Sequence, residues 1–227
     1  MSNFIQDCIN ADALLEEIDD YIEKWHESDS NETVYDYLGM TEEEYYLWVE
    51  DDFYLKYIIS AHEQNKKIED LISEDYDTKM VARASSPEEA KKRAAKFFAY
   101  HNLKLPVDVV ALLNTFAFVE EEIIPSKGDA ICINKTGKPH IIIKKNISKF
   151  RKRFTYAHEL GHLQIPTHTG MISCSTDLDS SINHSEYMKM EEEANAFAAE
   201  LLMPEHWLID MINTYSDYNE LIKQVCD

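Results

Sequence analysis

Residues 153–165, RFTYAHELGHLQI, place two histidines four positions apart within a largely apolar segment. Residues four apart lie one turn above each other on a helix, so His158 and His162 point in the same direction. Apolar side chains surround the pair on nearly every side of this predicted helix, which indicates that the helix is buried. Because buried imidazoles without partners are costly, the fold has to supply a partner for both rings.

A metal ion is the partner that this spacing favours. Zinc binds neutral imidazole nitrogen and carboxylate oxygen at about 2 Å. Glu159 projects about 100° around the helix from His158, beside such an ion, where its carboxylate can take a proton from water. The segment therefore predicts one zinc ion per chain, with His158 and His162 as ligands and Glu159 as the catalytic base.

A catalytic zinc ion needs a third protein ligand as well as an open position. His168 follows His158 by ten residues, which is the spacing of HExxHxxGxxH enzymes, but Ile165 stands where that pattern has glycine. The alternative is Glu191, which lies in the predicted helix MKMEEEANAFAAELL. We predict that Glu191 is the third ligand.

The helix that carries Glu191 has a face of small residues. This face carries Glu191, Ala194, Asn195, Ala198 and Leu202. The two alanines permit a close approach to another backbone, and Asn195 is placed to accept a hydrogen bond from a ligand histidine. Glu192 and Glu193 fall off this face, so we predict that both are solvated.

The charge of the chain divides it into two regions. Of the formal net charge of −21, residues 1–80 carry most, with 5 Lys/Arg against 23 Asp/Glu, whereas residues 81–227 carry 17 against 20. We predict an acidic helical N-terminal region at 1–80, regulatory or substrate-recruiting, and a second domain at 81–227. Such acidity argues against direct binding of nucleic acid or of an anionic membrane.

Periodicity predicts helices in the acidic region at about 11–27, after Thr41 (which forms a capping box with Glu44), and from Phe53 to about Leu71. Residues 73–85 have no clear period and are predicted to be a linker. Ser86 and Pro87 then begin a further helix, and another follows Pro106.

Three short segments of β-type follow, with the sequences FAFVEE, AICINK and HIIIKK. A turn signal at 136–139 predicts that the last two form a hairpin, and HIIIKK is the expected edge strand for holding an extended substrate. Residues 166–185 are predicted to be a long loop. The expected fold class is α+β: a mostly helical core with a small three-stranded sheet, preceded by the acidic helical region.

The cellular compartment is predicted from targeting and membrane signals that the sequence does not contain. The first twenty residues have no basic segment followed by an apolar one, and no apolar run approaches the ~20 residues of a membrane span. The four cysteines have no CxxC spacing, so we expect reduced thiols. A cytoplasmic protein is the expectation.

RFTYAHELGH together with EEEANAFAAELLMP resembles the ImmA/IrrE family of bacterial and phage metallopeptidases, and the resemblance extends over residues 81–210. It implies a zincin-like fold in which His158, His162 and Glu191 are the zinc ligands and Glu159 is the catalytic base. It also implies action on helix-turn-helix repressors of phages, mobile elements or stress responses.

The leading hypothesis is a zinc-dependent endopeptidase that cleaves such a repressor. The alternative is a metal-containing binding protein that does not cut and acts on a repressor or within a toxin–antitoxin pair. A donor for the developing oxyanion is also expected, and the candidates are His168, His184 and Tyr187. The acidic region is a solvated appendage, an attractor for the basic face of a repressor, or a cover over the site; the sequence leaves all three open.

Overall fold

A computed structural model describes residues 2–28, 31–76, 86–124, 128–133, 138–168, 171–174 and 184–214. The first two of these ranges contain short helices. They are α1 (Phe4–Ile9), α2 (Ile18–Glu27, preceded by a 3₁₀ turn at Leu15–Glu17), α3 (Val34–Leu38), α4 (Glu42–Glu50), α5 (Tyr54–Gln64) and α6 (Ile68–Tyr76). The regular structure described in the acidic region is thus all helical, as the sequence predicts.

Local capping explains where several of these helices begin and end. The capping box at the start of α4 is confirmed, since Thr41 Oγ1 accepts from Glu44 N and Thr41 N donates to the Glu44 carboxylate. The single helix predicted over 53–71 is instead two, because Asn65 adopts the left-handed conformation (φ 51°) and ends α5. The predicted linker begins later than expected, since α6 continues to Tyr76; residues 77–85 lie outside the described residues.

The second region combines helices with a sheet. Its elements are α7 (Pro87–Tyr100), α8 (Val109–Phe116), β1 (Phe118–Glu122), β2 (Ala130–Ile133), β3 (His140–Lys144), α9 (Lys149–Gln164), β4 (Met171–Cys174), α10 (His184–Leu202) and α11 (Glu205–Thr214). Ser86 caps α7 in a box with Glu89, with Pro87 as its first residue, as predicted. The fold is α+β and mostly helical, as the sequence indicates.

The sheet has the strand order β1-β3-β2-β4. The three predicted strands are present, and β2 and β3 pair antiparallel as the predicted hairpin requires. β4 is an addition, since it lies in the segment predicted to be a loop and pairs antiparallel with β2. The prediction that HIIIKK is an edge strand is wrong: β3 lies between β1, to which it is parallel, and β2. The reason is non-local: β1, which precedes the hairpin in the chain, pairs with the side of β3 that β2 leaves open.

Buried apolar residues form two clusters. The first lies among the helices of the acidic region and includes Phe4, Leu38, Trp48, Ile58 and Ile59. The second lies between the sheet, α7, α8, α9 and α10, and includes Phe97, Leu113, Ile141, Leu160 and Phe197. Leu14 from the acidic region is buried in this second cluster, so the two regions share apolar contacts.

Polar contacts also join the two regions along α7. Arg93, only 4% exposed, donates to the carbonyl oxygens of Cys8 and Ala13 at 2.6 and 3.2 Å. Two ion pairs, Lys92–Asp12 and Lys96–Glu17, accompany it, together with a 2.8 Å contact between His101 Nε2 and Glu16 Oε1. Part of the negative charge of the acidic region is therefore neutralised by contacts within the molecule.

Within the described ranges, helices of the length and hydropathy that a bilayer crossing needs are absent. Cys8 and Cys132 are buried free thiols.

Candidate metal centre

Helix α9 holds two imidazoles against each other. Ser148 caps the helix by accepting from Arg151 N, and every residue from Thr155 to Gln164 is buried, as the apolar surroundings predict. The Nε2 atoms of His158 and His162 lie 3.0 Å apart. One helical turn therefore presents two nitrogen donors to the same point.

Helix α10 brings a carboxylate to that point. Glu191 Oε2 lies 3.4 Å from His158 Nε2, and Glu191 Oε1 lies 3.4 Å from His162 Nε2. The approach is possible because α9 and α10 touch at Gly161, where a Cβ would come within 3.3 Å of the Ala194 backbone. The close approach predicted from the alanine-bearing face is confirmed.

The spacing of these donor atoms fits one metal ion. A tetrahedral ion with ligands at about 2.1 Å separates its ligand atoms by about 3.4 Å. The two Nε2 atoms lie 3.0 Å apart, and each lies 3.4 Å from a different oxygen of Glu191; one donor atom from each of the three residues lies within 4.8 Å of the others. In addition, Glu191 Oε1 is buried and accepts no hydrogen bond within the described part of the chain. A bound cation would satisfy this oxygen.

The ionisation of the three groups suits a cation site. Burial would raise the pKa of Glu191, but its contacts with His158 and His162 hold that pKa far below its usual range. Burial lowers the pKa of His162 to about 3, which leaves a neutral ring. For His158, burial is outweighed by contact with Glu191 and the charge of Glu159, so its pKa is raised. The electrostatic potential at this point is thus negative and favours a positive ion.

Glu159 lies on the same turn and is 0% exposed. The side chains of His158 and Glu191 are 8% and 18% exposed, so the site is accessible at these two residues. His162 is fully buried beneath them. A metal centre here would have an opening on one side for water or substrate.

Asn195 contacts the ring of His158, as the sequence predicts, with 3.0 Å between Nδ1 and Oδ1. If Nε2 of His158 binds a metal ion, Nδ1 carries the proton and donates it to this amide oxygen. The contact fixes the ring in the tautomer that a ligand needs.

His168, the rejected candidate for third ligand, is buried, and both of its ring nitrogens are engaged elsewhere. Nδ1 lies 2.9 Å from His162 Nδ1, and Nε2 lies 3.0 Å from Glu193 Oε2. The ring therefore contacts the Nδ1 side of His162, a candidate ligand. With both of its nitrogens in these contacts, it is not available to donate to an oxyanion. Of the other two oxyanion candidates, Tyr187 is buried one turn before Glu191, and the side chain of His184 lies outside the described residues.

The prediction that Glu193 is solvated is wrong, since it is 0% exposed, whereas Glu192 is exposed as predicted. The sequence did hold a signal for its burial. Glu193 shares a helical face with buried apolar residues three before and four and eight after it: Met190, Phe197 and Leu201. A carboxylate in such a row must be paired, and His168 is its partner.

A buried HExxH helix that faces a carboxylate from a later helix is the arrangement of a metallopeptidase centre. The comparison with protein families agrees: residues 118–226 match the IrrE N-terminal-like domain of peptidase family M78. This segment of the chain is thus similar to the ImmA/IrrE family of metallopeptidases that the sequence motifs resemble. The match begins at β1, later than the expected residue 81. No curated protein matches the chain.

Proposed function

We propose that this protein is a zinc-dependent endopeptidase that hydrolyses a peptide bond in a cytoplasmic protein. The observation that carries the proposal is the spacing of three donor atoms, from His158, His162 and Glu191, with Glu159 buried on the same turn. The match of residues 118–226 to a peptidase family supports the peptidase activity. Zinc is the proposed ion because it accepts two imidazole nitrogens and one carboxylate and leaves a fourth position open.

Zinc, when bound, supplies Lewis-acid chemistry that activates water near neutral pH and polarises a carbonyl group. Glu159 then takes the proton of the attacking water and passes it to the leaving amine. As zinc ligands, His158 and His162 would be neutral, each held in its tautomer by a hydrogen bond from Nδ1. An extended substrate would pair with a free edge of the sheet, and the two edge strands are β1 and β4.

The proposed substrate is a helix-turn-helix repressor of a phage, a mobile element or a stress regulon. An acidic cleft supports a partner with a basic surface. The cleft has a volume of about 770 Å³ and lies between the two regions, with an apolar floor that includes Trp48 and Phe116. Its lining also carries five carboxylates, from Glu16, Asp19, Glu50, Asp51 and Asp52, against two lysines, Lys56 and Lys138. The same acidity would repel nucleic acid and anionic membrane, so neither is a proposed partner.

The test uses zinc-loaded, full-length protein and the transcriptional regulator encoded next to it. Glu159→Gln should lower the rate of regulator cleavage by about 10²- to 10⁴-fold because the base is lost. The variant should bind zinc as the wild type does. Glu192→Gln, which changes an exposed neighbour of Glu191, is the matched control and should cleave normally.

Unchanged cleavage by Glu159→Gln would refute the mechanism. If the wild type binds the regulator but releases no chelator-sensitive fragment, the protein is instead a metal-containing binding protein that does not cut.

A further inference from the structure

A chain of three fully buried side chains leads away from the proposed metal site. His162 Nδ1 contacts His168 Nδ1 at 2.9 Å, and His168 Nε2 contacts Glu193 Oε2 at 3.0 Å. All three residues are 0% exposed. The row therefore runs from a proposed zinc ligand, through a second imidazole, to a carboxylate on the neighbouring helix.

The direction of the hydrogen bonds follows from the carboxylate at one end. An ionised Glu193 only accepts, so His168 Nε2 carries a proton and donates it. A neutral imidazole that donates from Nε2 has its lone pair on Nδ1, so Nδ1 of His168 is the acceptor. His162 must then donate from Nδ1, and its Nε2 keeps the lone pair that faces His158 and Glu191.

The backbone around the two rings is held in place as well. Lys56 Nζ, from α5 in the acidic region, donates to the carbonyl oxygens of His162 and His168 at 2.9 and 2.8 Å. One ammonium group thus forms hydrogen bonds with the backbone of both residues.

We propose that Glu193 and His168 are positioning residues that fix the tautomer and orientation of His162 for metal binding. Glu193 acts through His168, and neither residue touches the ion or the substrate. The proposal rests on the proposed metal site, and it goes beyond it by assigning a role to two residues outside the ligand set. Carboxylate partners of ligand histidines commonly raise metal affinity in this way; here the carboxylate is one imidazole further away.

The test measures zinc affinity by competition with a chromophoric chelator, with the full-length chain and zinc alone as the probe. His168→Leu should weaken zinc binding about 10- to 100-fold, because His162 loses the acceptor that fixes its tautomer. His168→Gln should restore most of the affinity, since its amide oxygen can accept from His162 while its NH₂ group donates to Glu193. Glu193→Gln should also weaken binding, because a neutral amide oxygen accepts from His168 more weakly than a carboxylate does; Glu192→Gln is its matched control.

A double-mutant cycle shows whether Glu193 acts through His168. The effect of Glu193→Gln should disappear in the His168→Leu background, because the path to His162 is already broken. Thermal unfolding of the zinc-free variants separates this role from a merely structural one, which would lower the melting temperature and leave the affinity of the folded protein unchanged. Should His168→Leu not fold, His168→Gln and Glu193→Gln still carry the test.

The inference is overturned if Glu193→Gln binds zinc as tightly as the wild type, or if the effects of the two substitutions simply add. These outcomes differ from a failure of the proposed function. Wild-type protein that binds zinc but cleaves nothing would refute the peptidase and leave the positioning role standing. Wild-type protein that binds no zinc would refute both.

Discussion

Gly161 of α9 lies directly against Ala194 of α10. A Cβ atom built on Gly161 would come within 3.3 Å of both the Cα and the carbonyl oxygen of Ala194, and within 3.2 Å of Phe197 Cβ. Because Glu191 precedes Ala194 by one helical turn, this contact sets how far the carboxylate stands from His158 and His162.

Gly161→Ala should therefore weaken zinc binding by about tenfold or more, comparable to the loss of an outer-shell contact. The added methyl group meets backbone atoms, which cannot rotate away, so α10 has to shift. Overpacking costs about 1–3 kcal/mol, while alanine in place of glycine within a helix returns up to about 1 kcal/mol. Urea unfolding of the zinc-free protein should therefore show a partly compensated loss of stability, whereas chelator competition should show the loss of zinc affinity without such compensation. Unaltered zinc affinity would mean that the helix contact does not position Glu191.

Glu191→Gln should abolish tight zinc binding, with a loss exceeding the roughly 100-fold typical of outer-shell substitutions. The substitution keeps the shape of the side chain but removes the charge that faces the two imidazoles. Glu192→Gln changes the adjacent, exposed carboxylate and should bind zinc normally. Elemental analysis after gel filtration is the measurement. Stoichiometric zinc in the Glu191 variant would show that another residue completes the site.

Asn195→Ala should weaken zinc binding by about 10- to 100-fold, because His158 loses the acceptor for its Nδ1 proton. Asn195→Asp keeps an oxygen at this position and adds a negative charge, so it should bind zinc at least as tightly as the wild type. Chelator competition compares the two variants. Equal affinities for alanine and aspartate would remove Asn195 from the site.

Lys56→Met should lower the free energy of unfolding by about 2 kcal/mol, the scale of hydrogen bonds to a charged group. The apolar part of the side chain is kept, but the carbonyl oxygens of His162 and His168 lose their common donor. Lys67→Met, at an exposed position of the same region, is the control and should leave stability almost unchanged. Denaturant titration distinguishes them; equal stability of the two variants would show that Lys56 is not a link between the regions.

Much of the fold follows from patterns that are local in the chain. The capping boxes at Thr41 and Ser86, the β2–β3 hairpin and the two long helices of the site all appear where periodicity and turn residues predict them. The strand order does not follow from such patterns. β3 pairs with β1 as a parallel neighbour, and β4 lies within the segment predicted to be a loop and pairs with the other side of β2.

The same division holds at the metal centre. The rise and twist of the backbone decide which residues are neighbours along one helix. The amino-acid sequence alone therefore places His158, Glu159 and His162 on one turn of α9, and Glu191 and Asn195 one turn apart on α10. The tertiary structure alone set the distances of Glu191 and His168 from the two rings, buried Glu193 beside His168, and brought Lys56 to the site across more than a hundred residues. These contacts depend on how separate elements pack together, and no spacing along the chain encodes that.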